Sequence, residues 1–329
     1  MAALQGLKED RLKLILFGGK GGVGKTTCAS STALYLAEYF KTLLMSTDPA
    51  HSLSDSLGQE IGDSIKEVKG VKNLKAFEIN AEKAYQKFKV EYEKEIKRIL
   101  TTSTYLDEED IRSVYALSIP GLDEVMGFIT IVDLIDEANF DKYIVDTAPT
   151  GHALRLLTLP GLLDDWIKVM AKMRWKYRYM VESFSGRYKP DKGDDFLLTM
   201  KKSVKKIENL LRDQSRCEFI AVTIPQSMAI LETKRLITKL SKYGIRVRQL
   251  IINNVMEENG CGFCRTKKKA DEKYIEQIRK EFADLNIITL PLHPGEIKGM
   301  ESLNKFKTSM FKTDGYKAVY QKTLAKVAG

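Results

Sequence analysis

Thiols are scarce in this chain. Four cysteines in 329 residues are too few for a disulfide scaffold. Cys28 and Cys217 stand alone in apolar surroundings and read as small buried hydrophobes. With 22 glycines and eight prolines, no internal repeat and no low-complexity linker, the chain is not collagen-like, mucin-like or mostly disordered. It has no run of about 18 uninterrupted apolar residues, so no spanning helix is expected. Residues 1–13, MAALQGLKEDRLK, lack the apolar core of a secretory signal. These absences lead to the expectation of a cytosolic protein. The net charge of +9 is moderate and spread along the chain. It is compatible with nucleic acid, an anionic membrane surface or a nucleotide, and chooses none of them.

What is present is a βαβ rhythm. Short apolar runs at Leu14–Phe17, Leu43–Thr47, Leu74–Glu78, Tyr143–Asp146, Phe219–Thr223, Gln249–Asn253 and Ile287–Leu290 alternate with longer helical patterns. Most are continuously apolar, as expected where helices cover both faces of a parallel sheet. The pattern predicts an α/β fold with a doubly wound, mostly parallel sheet, which the glycine-rich motif at Gly18–Thr27 makes a P-loop sheet. Two helix-prone stretches, about 81–127 and 153–215, carry no strand signal. They predict an inserted α-helical subdomain. The nucleotide-binding domain would then be discontinuous: 1–80, 128–152 and 216–329.

The strongest local signal runs from Gly18 to Thr27: Gly19-Lys20-Gly21-Gly22-Val23-Gly24-Lys25-Thr26 fits G-x-x-x-x-G-K-[ST], and Thr27 follows. It leaves an apolar strand and opens a helical pattern, which is the context the motif needs. Glycines let the backbone aim several N–H groups at phosphate oxygens. The helix that follows presents its positive end to the same anion. Lys25 would neutralise the β- and γ-phosphates of ATP, and the Thr26 hydroxyl would ligate Mg²⁺.

Two more strand ends face the same way. Asp48, past Leu43–Thr47, reads either as the group that orients or deprotonates an attacking water, or as a turn former before Pro49. Asp146 closes the strand Tyr143–Val145 in the Walker B manner, holding Mg²⁺ directly or through water.

Lys20, a second lysine inside the loop, makes the segment resemble the deviant Walker A, or signature-lysine, ATPases. The stretches DPAHSLSD and DTAPTGHALRLLTLP resemble the arsenite-pump branch, and within it the tail-anchored-protein targeting ATPases, over roughly residues 14–300. By that resemblance Asp48 belongs to switch I as the catalytic carboxylate, and Asp146 begins switch II. Lys20 would act across a dimer on the partner's nucleotide, much as an arginine finger does. Asn253 matches a base-binding asparagine, and the segment from Pro291 to Gly299 matches the loop beside the adenine. An amide can serve both edges of adenine, although Asn253 alone also reads as a strand-end turn residue.

Cys261-Gly262-Phe263-Cys264 offers two thiolates at zinc-chelating spacing, yet Zn²⁺ wants four ligands. The chain has no second C-x-x-C, and none of its three histidines is near in sequence. A two-fold partner could complete a Cys₄ site. A redox pair and two free surface thiols are the other readings. The resemblance implies the shared zinc site and a homodimer joined through zinc and the nucleotide face.

In the second helix-prone stretch, Leu163, Trp166, Met170, Met173, Trp175, Met180, Phe184, Phe196, Leu197 and Met200 supply apolar groups at helical spacing. Such a stripe is ordinarily core. Its methionines also suit varied apolar clients. The resemblance implies a groove for the hydrophobic transmembrane helix of tail-anchored clients and a receptor at the membrane. Two alternatives stand beside it. One is an arsenite- or antimonite-activated pump ATPase, although such enzymes resemble two fused copies with extra cysteines. The other is a positioning ATPase like MinD or ParA, with the Lys312–Gly329 stretch on a membrane surface. Nucleic acid is not expected as a partner.

Overall fold

The computed structural model describes residues 4–48, 52–103, 122–147, 167–168, 170–172, 174–175, 178–179, 182–183, 190, 192–257 and 261–311. In chain order the elements are β1 (Leu14–Gly19), α1 (Lys25–Leu36), β2 (Thr42–Ser46), α2 (Ser52–Leu57), β3 (Lys66–Glu67), β4 (Leu74–Glu78), α3 (Ala81–Ser103) and α4 (Leu122–Asp136). Then follow β5 (Lys142–Asp146), α5 (Lys192–Arg212), β6 (Cys217–Thr223), α6 (Ser227–Lys242), β7 (Val247–Val255), α7 (Gly262–Glu281), β8 (Asn286–Pro291) and α8 (Gly299–Phe311).

The chain divides into two compact units. The first comprises Met1–Ile79, Glu137–Leu154 and Arg212–Gly329. It holds one eight-stranded sheet in the order β3-β4-β2-β5-β1-β6-β7-β8. Every pairing is parallel except that of β3 with β4. Strands β1, β2, β5 and β6 are buried along their whole length, which explains their unbroken apolar character. On one face Ile15, Phe17, Leu44, Ile144, Ile220 and Ile251 meet α1 and α8 through Ala33, Leu36, Leu303 and Phe306. Burying each large side chain contributes about 1.5–3 kcal/mol. That face therefore fixes how α1 leaves the end of β1.

All seven strands expected from apolar runs are present. The two-residue β3 was not among them, because Lys66–Glu67 carries no hydrophobic pattern. Strand β7 runs past Asn253 to Val255, with Asn254 left-handed at φ 57° and a register irregularity beside it. Asparagine tolerates that backbone, so the strand continues beyond its apolar run.

The second unit comprises Asn80–Asp136 and Arg155–Leu211. Helix α5 buries Phe196, Leu197, Met200, Val204 and Ile207, a stripe of helical period. Phe196 meets Phe88 and Tyr92 of α3 in a three-ring cluster. Lys206 of α5 pairs with Asp136 at the end of α4.

Candidate active site

Between β1 and α1 the backbone turns left-handed at Gly22 (φ 78°) and Gly24 (φ 90°). A Cβ on Gly24 would lie 2.4 Å from Asn253 Nδ2, so both conformation and space demand glycine there. Gly21 and Gly22 are exposed, while Val23 is buried in the core and anchors the loop. Gly24 caps α1 without a side-chain hydrogen bond. The first N–H groups of α1 are thus presented by a helix end with no acidic residue in its first turn. This is a cradle for an anion.

Lys25 and Thr26 open α1, with Thr27 half-buried behind them. Lys25 is buried, and its Nζ donates to the Lys20 carbonyl at 3.1 Å. Burial lowers its pKa, and the charges of Asp146 and Asp48 oppose that shift. Thr26 Oγ1 donates to Asp146 Oδ2 at 2.5 Å, and Ser52 Oγ approaches the same oxygen at 3.4 Å. Asp146 is fully buried at the end of β5. Burial pushes its carboxyl up to about 6, against the pull of the Thr26 hydroxyl and Lys25. Its Oδ1 is buried with no hydrogen-bond partner. A hydroxyl and a half-satisfied carboxylate beside a phosphate cradle are a chemically suitable donor set for Mg²⁺.

Asp48 is half-buried, its N–H donating to Ser46 Oγ at 3.0 Å. It acts electrostatically on both Lys25 and Asp146, so the three share one site. The short helix α2 beyond it is tied down by Glu78: Ser54 N–H donates to Oε1 at 3.0 Å and Ser54 Oγ to Oε2 at 3.1 Å. Ser52 and Glu78 escaped the sequence reading; the hydroxyl-rich SLS after Asp48 was the available signal for the first. Residues 49–51, including His51, and 148–166 after Asp146 lie outside the described residues.

Asn253 is buried, and its Nδ2 donates to the Val23 carbonyl at 2.9 Å, while Oδ1 has no partner. It braces the phosphate loop from β7. Pro291 ends β8 opposite Val255, at the same end of the sheet. Further along that segment, Lys298 pairs with Asp55 of α2 at 3.4 Å. Lys20 lies 3.7 Å from Glu232 of α6, a carboxylate with no sequence signal. The exposed Met228 and Leu231 flank it.

Cys261 is the N-cap of α7, its sulfur accepting from the Cys264 N–H at 3.1 Å. The two sulfurs are 2.6 Å apart, Cys261 exposed and Cys264 buried. Hydrogen bonds from the Cys264 side chain and backbone lower the Cys261 pKa, favouring a thiolate. Among the described residues no cluster of three metal ligands occurs. The pair therefore supplies two converging donors, and four-coordinate zinc would need two more.

In the helical unit Ile167 and Met170 are buried, whereas Trp175 and Tyr179 are exposed and stacked 6.0 Å apart. Leu163, Trp166, Met173, Met180 and Phe184 lie outside the described residues, as does Lys312–Gly329. Among the described residues no helix is long and apolar enough to cross a membrane.

Comparison with known proteins gives a consistent result. A family model described as anion-transporting ATPase matches residues 12–312. "ATPase ASNA1 homolog 1" of Paramecium tetraurelia is 34% identical over 313 residues, covering 91% of this chain and 92% of that protein. "ATPase ASNA1 homolog" of Dictyostelium discoideum is 34% identical over 313 residues, covering 93% and 92%. "ATPase get3" of Pyrenophora tritici-repentis is 32% identical over 317 residues, covering 93% of each chain.

Proposed function

The chain belongs to the anion-transporting ATPase family, and from that membership we propose that its ATP hydrolysis drives capture and release of the transmembrane helix of tail-anchored client proteins. The observation that carries the hydrolytic part is the pairing of Thr26 with a buried, half-satisfied Asp146 beside an uncapped helix end. Backbone N–H groups of residues 21–27 hold the phosphates, and Lys25 neutralises the developing charge. Thr26, and Asp146 directly or through water, would hold Mg²⁺, which when bound would supply charge neutralisation. Asp48 orients the attacking water and accepts its proton. Asn253 and the segment starting at Pro291 hold the adenine.

Lys20 reaches from one copy toward the triphosphate of the other, so that hydrolysis depends on dimer closure. Cys261 and Cys264 of two copies together provide the four thiolates of a structural zinc site. The helical unit forms the client groove, with exposed apolar groups such as Trp175 and Tyr179 available to it. The three relatives compared above, each matched over nine-tenths of the chain and named ATPase ASNA1 or get3, support this reading over a metalloid pump. So does the burial of Cys28 and Cys217, which withholds both from a metalloid. A receptor at the membrane completes the cycle.

The test is co-expression with a tail-anchored substrate. A soluble complex should form, and deletion of 163–200 should abolish it while leaving nucleotide binding. If no complex forms and the deletion changes nothing, the targeting reading fails. Metal analysis with native mass measurement should give one zinc per two chains, lost in a C261S/C264S variant.

A further inference from the structure

The phosphate loop carries two lysines, and each is already engaged. Lys25 Nζ rests on the Lys20 carbonyl at 3.1 Å, inside the cradle. The Lys20 ammonium lies 3.7 Å from Glu232 Oε1 of α6. Glu232 projects from the second turn of α6, an element rooted in the sheet through the buried Ala229, Ile230 and Thr233 around it. Thr233 Oγ1 returns a hydrogen bond to the Ala229 carbonyl at 2.8 Å, which holds that turn in place. The carboxylate is therefore presented by a packed helix, whereas the half-buried Lys20 is followed by the exposed Gly21 and Gly22 of the loop.

The α6 carboxylate and a triphosphate would compete for the Lys20 ammonium. We propose that Glu232 is a positioning residue that docks Lys20 against α6 in the nucleotide-free protein, and that Lys20 must leave it to reach a triphosphate. The inference rests on the reading of Lys20 as a triphosphate ligand. The Lys20 and Glu232 side chains are 36% and 24% exposed, so the pair is weak and easily exchanged. That suits a latch: it biases the resting loop without blocking the loaded one. Because a ligand shifts such an equilibrium only by its preference for one state, a triphosphate that engages Lys20 works against the latch, and a ligand that does not engage it leaves the latch closed.

The test uses the full chain and acetylation of Lys20 by a lysine-selective reagent, quantified by mass spectrometry with the other lysines as reference. In nucleotide-free protein at low salt, Glu232→Gln should speed Lys20 acetylation about two- to fivefold, the range a pair at this exposure allows. Raising the ionic strength should give a similar gain in the unaltered protein and little in the variant, since salt screens the pair. Glu232→Gln should also tighten binding of a non-hydrolysable ATP analogue by the same factor, and Lys20→Ala should erase that gain. Equal Lys20 acetylation in the two nucleotide-free proteins at low salt would overturn the latch. If the analogue with Mg²⁺ leaves Lys20 acetylation unchanged in both proteins, the role of Lys20 as a triphosphate ligand fails instead. The nucleotide-free comparison still decides the docking on its own.

Discussion

The two ends of the sheet treat buried polar groups in opposite ways. At the amino end Lys142, the first residue of β5, is buried, and its Nζ donates to the carbonyls of Glu9 at 2.5 Å and Leu12 at 2.6 Å. Across β1, buried Glu218 of β6 accepts from Arg248 Nε at 2.6 Å. Gln249 exchanges two hydrogen bonds with the Gln5 backbone, at 2.9 and 3.1 Å, and accepts from Asn286 at 3.1 Å. At the carboxyl end, Asp146 Oδ1, Thr223 Oγ1 and Asn253 Oδ1 are buried with no hydrogen-bond partner. These three atoms sit on β5, β6 and β7, around the loop that leaves β1. An unsatisfied buried polar atom costs about 1–3 kcal/mol. The amino-end groups are satisfied by the chain itself, as is Glu78 at the end of β4, whereas the three atoms around the phosphate loop are placed to take partners from a ligand, which would then also stabilise the fold.

The sharpest way to break this contrast is to alter one lysine at each end. Lys25→Ala should lower ATP hydrolysis by about two orders of magnitude or more, since it removes charge stabilisation at the reacting phosphate. Its thermal midpoint should not fall, because the side chain removed is a buried ammonium whose pKa burial already lowers. Lys142→Met should do the reverse. It removes the side-chain donor to the Leu12 carbonyl and one of two donors to the Glu9 carbonyl, which keeps the Leu12 N–H, at a cost of about 1–3 kcal/mol in denaturant unfolding. Turnover at saturating ATP should stay within twofold. A stability loss at Lys25, or a turnover loss at Lys142, would mean that the two ends are not divided in this way.

Asp146 sharpens the same contrast through pH. Burial raises its folded pKa to about 6, from 3.8. The folded protein therefore holds its proton more tightly than the unfolded chain does. Stability from this group is fully present below the unfolded pKa and is lost as pH rises through about 6. Asp146→Asn should thus raise the stability of nucleotide-free, Mg²⁺-free protein at pH 7.5 by about 1–3 kcal/mol, and the gain should shrink toward zero near pH 4. The same variant should lose Mg²⁺-dependent hydrolysis. A gain independent of pH, read from thermal melts across that range, would assign the effect to packing rather than to the buried charge.

What could be read from the sequence follows from how local each feature is. The strands announced themselves because burial on both faces forces continuous apolar runs such as Leu14–Phe17 and Phe219–Thr223. The phosphate loop was legible because its glycines, lysine and threonine are contiguous. Acidic strand ends marked Asp48 and Asp146 for the same reason. What stayed hidden is pairing between distant segments. The sequence assigns Thr26 and Asp146 to one metal but not to a direct hydrogen bond, and nothing in it ties Asn253 to the Val23 carbonyl or Lys20 to Glu232; the strand order does that, by setting β5, β1, β6 and β7 side by side. The buried pairs at the amino end, Glu218 with Arg248 above all, were equally silent. Their residue types alone read as solvated charge.

Asn253 is the subtlest test, because it belongs to both behaviours. Its Nδ2 is satisfied by Val23, in the manner of the amino end, while its Oδ1 waits, in the manner of the carboxyl end. Asn253→Ala removes one hydrogen bond and one unsatisfied oxygen together, so the two effects on folding oppose each other and the thermal midpoint should move little. Binding has no such compensation. Losing the brace and the base contact should weaken ATP affinity about 3- to 10-fold, the worth of one buried hydrogen bond. If Oδ1 meets the adenine amino group, GTP, which carries a carbonyl there, should lose less, and the preference for ATP over GTP should narrow by that same factor. If both nucleotides weaken equally, Asn253 serves the loop alone, and the oxygen at the end of β7 is a structural cost that no base offsets.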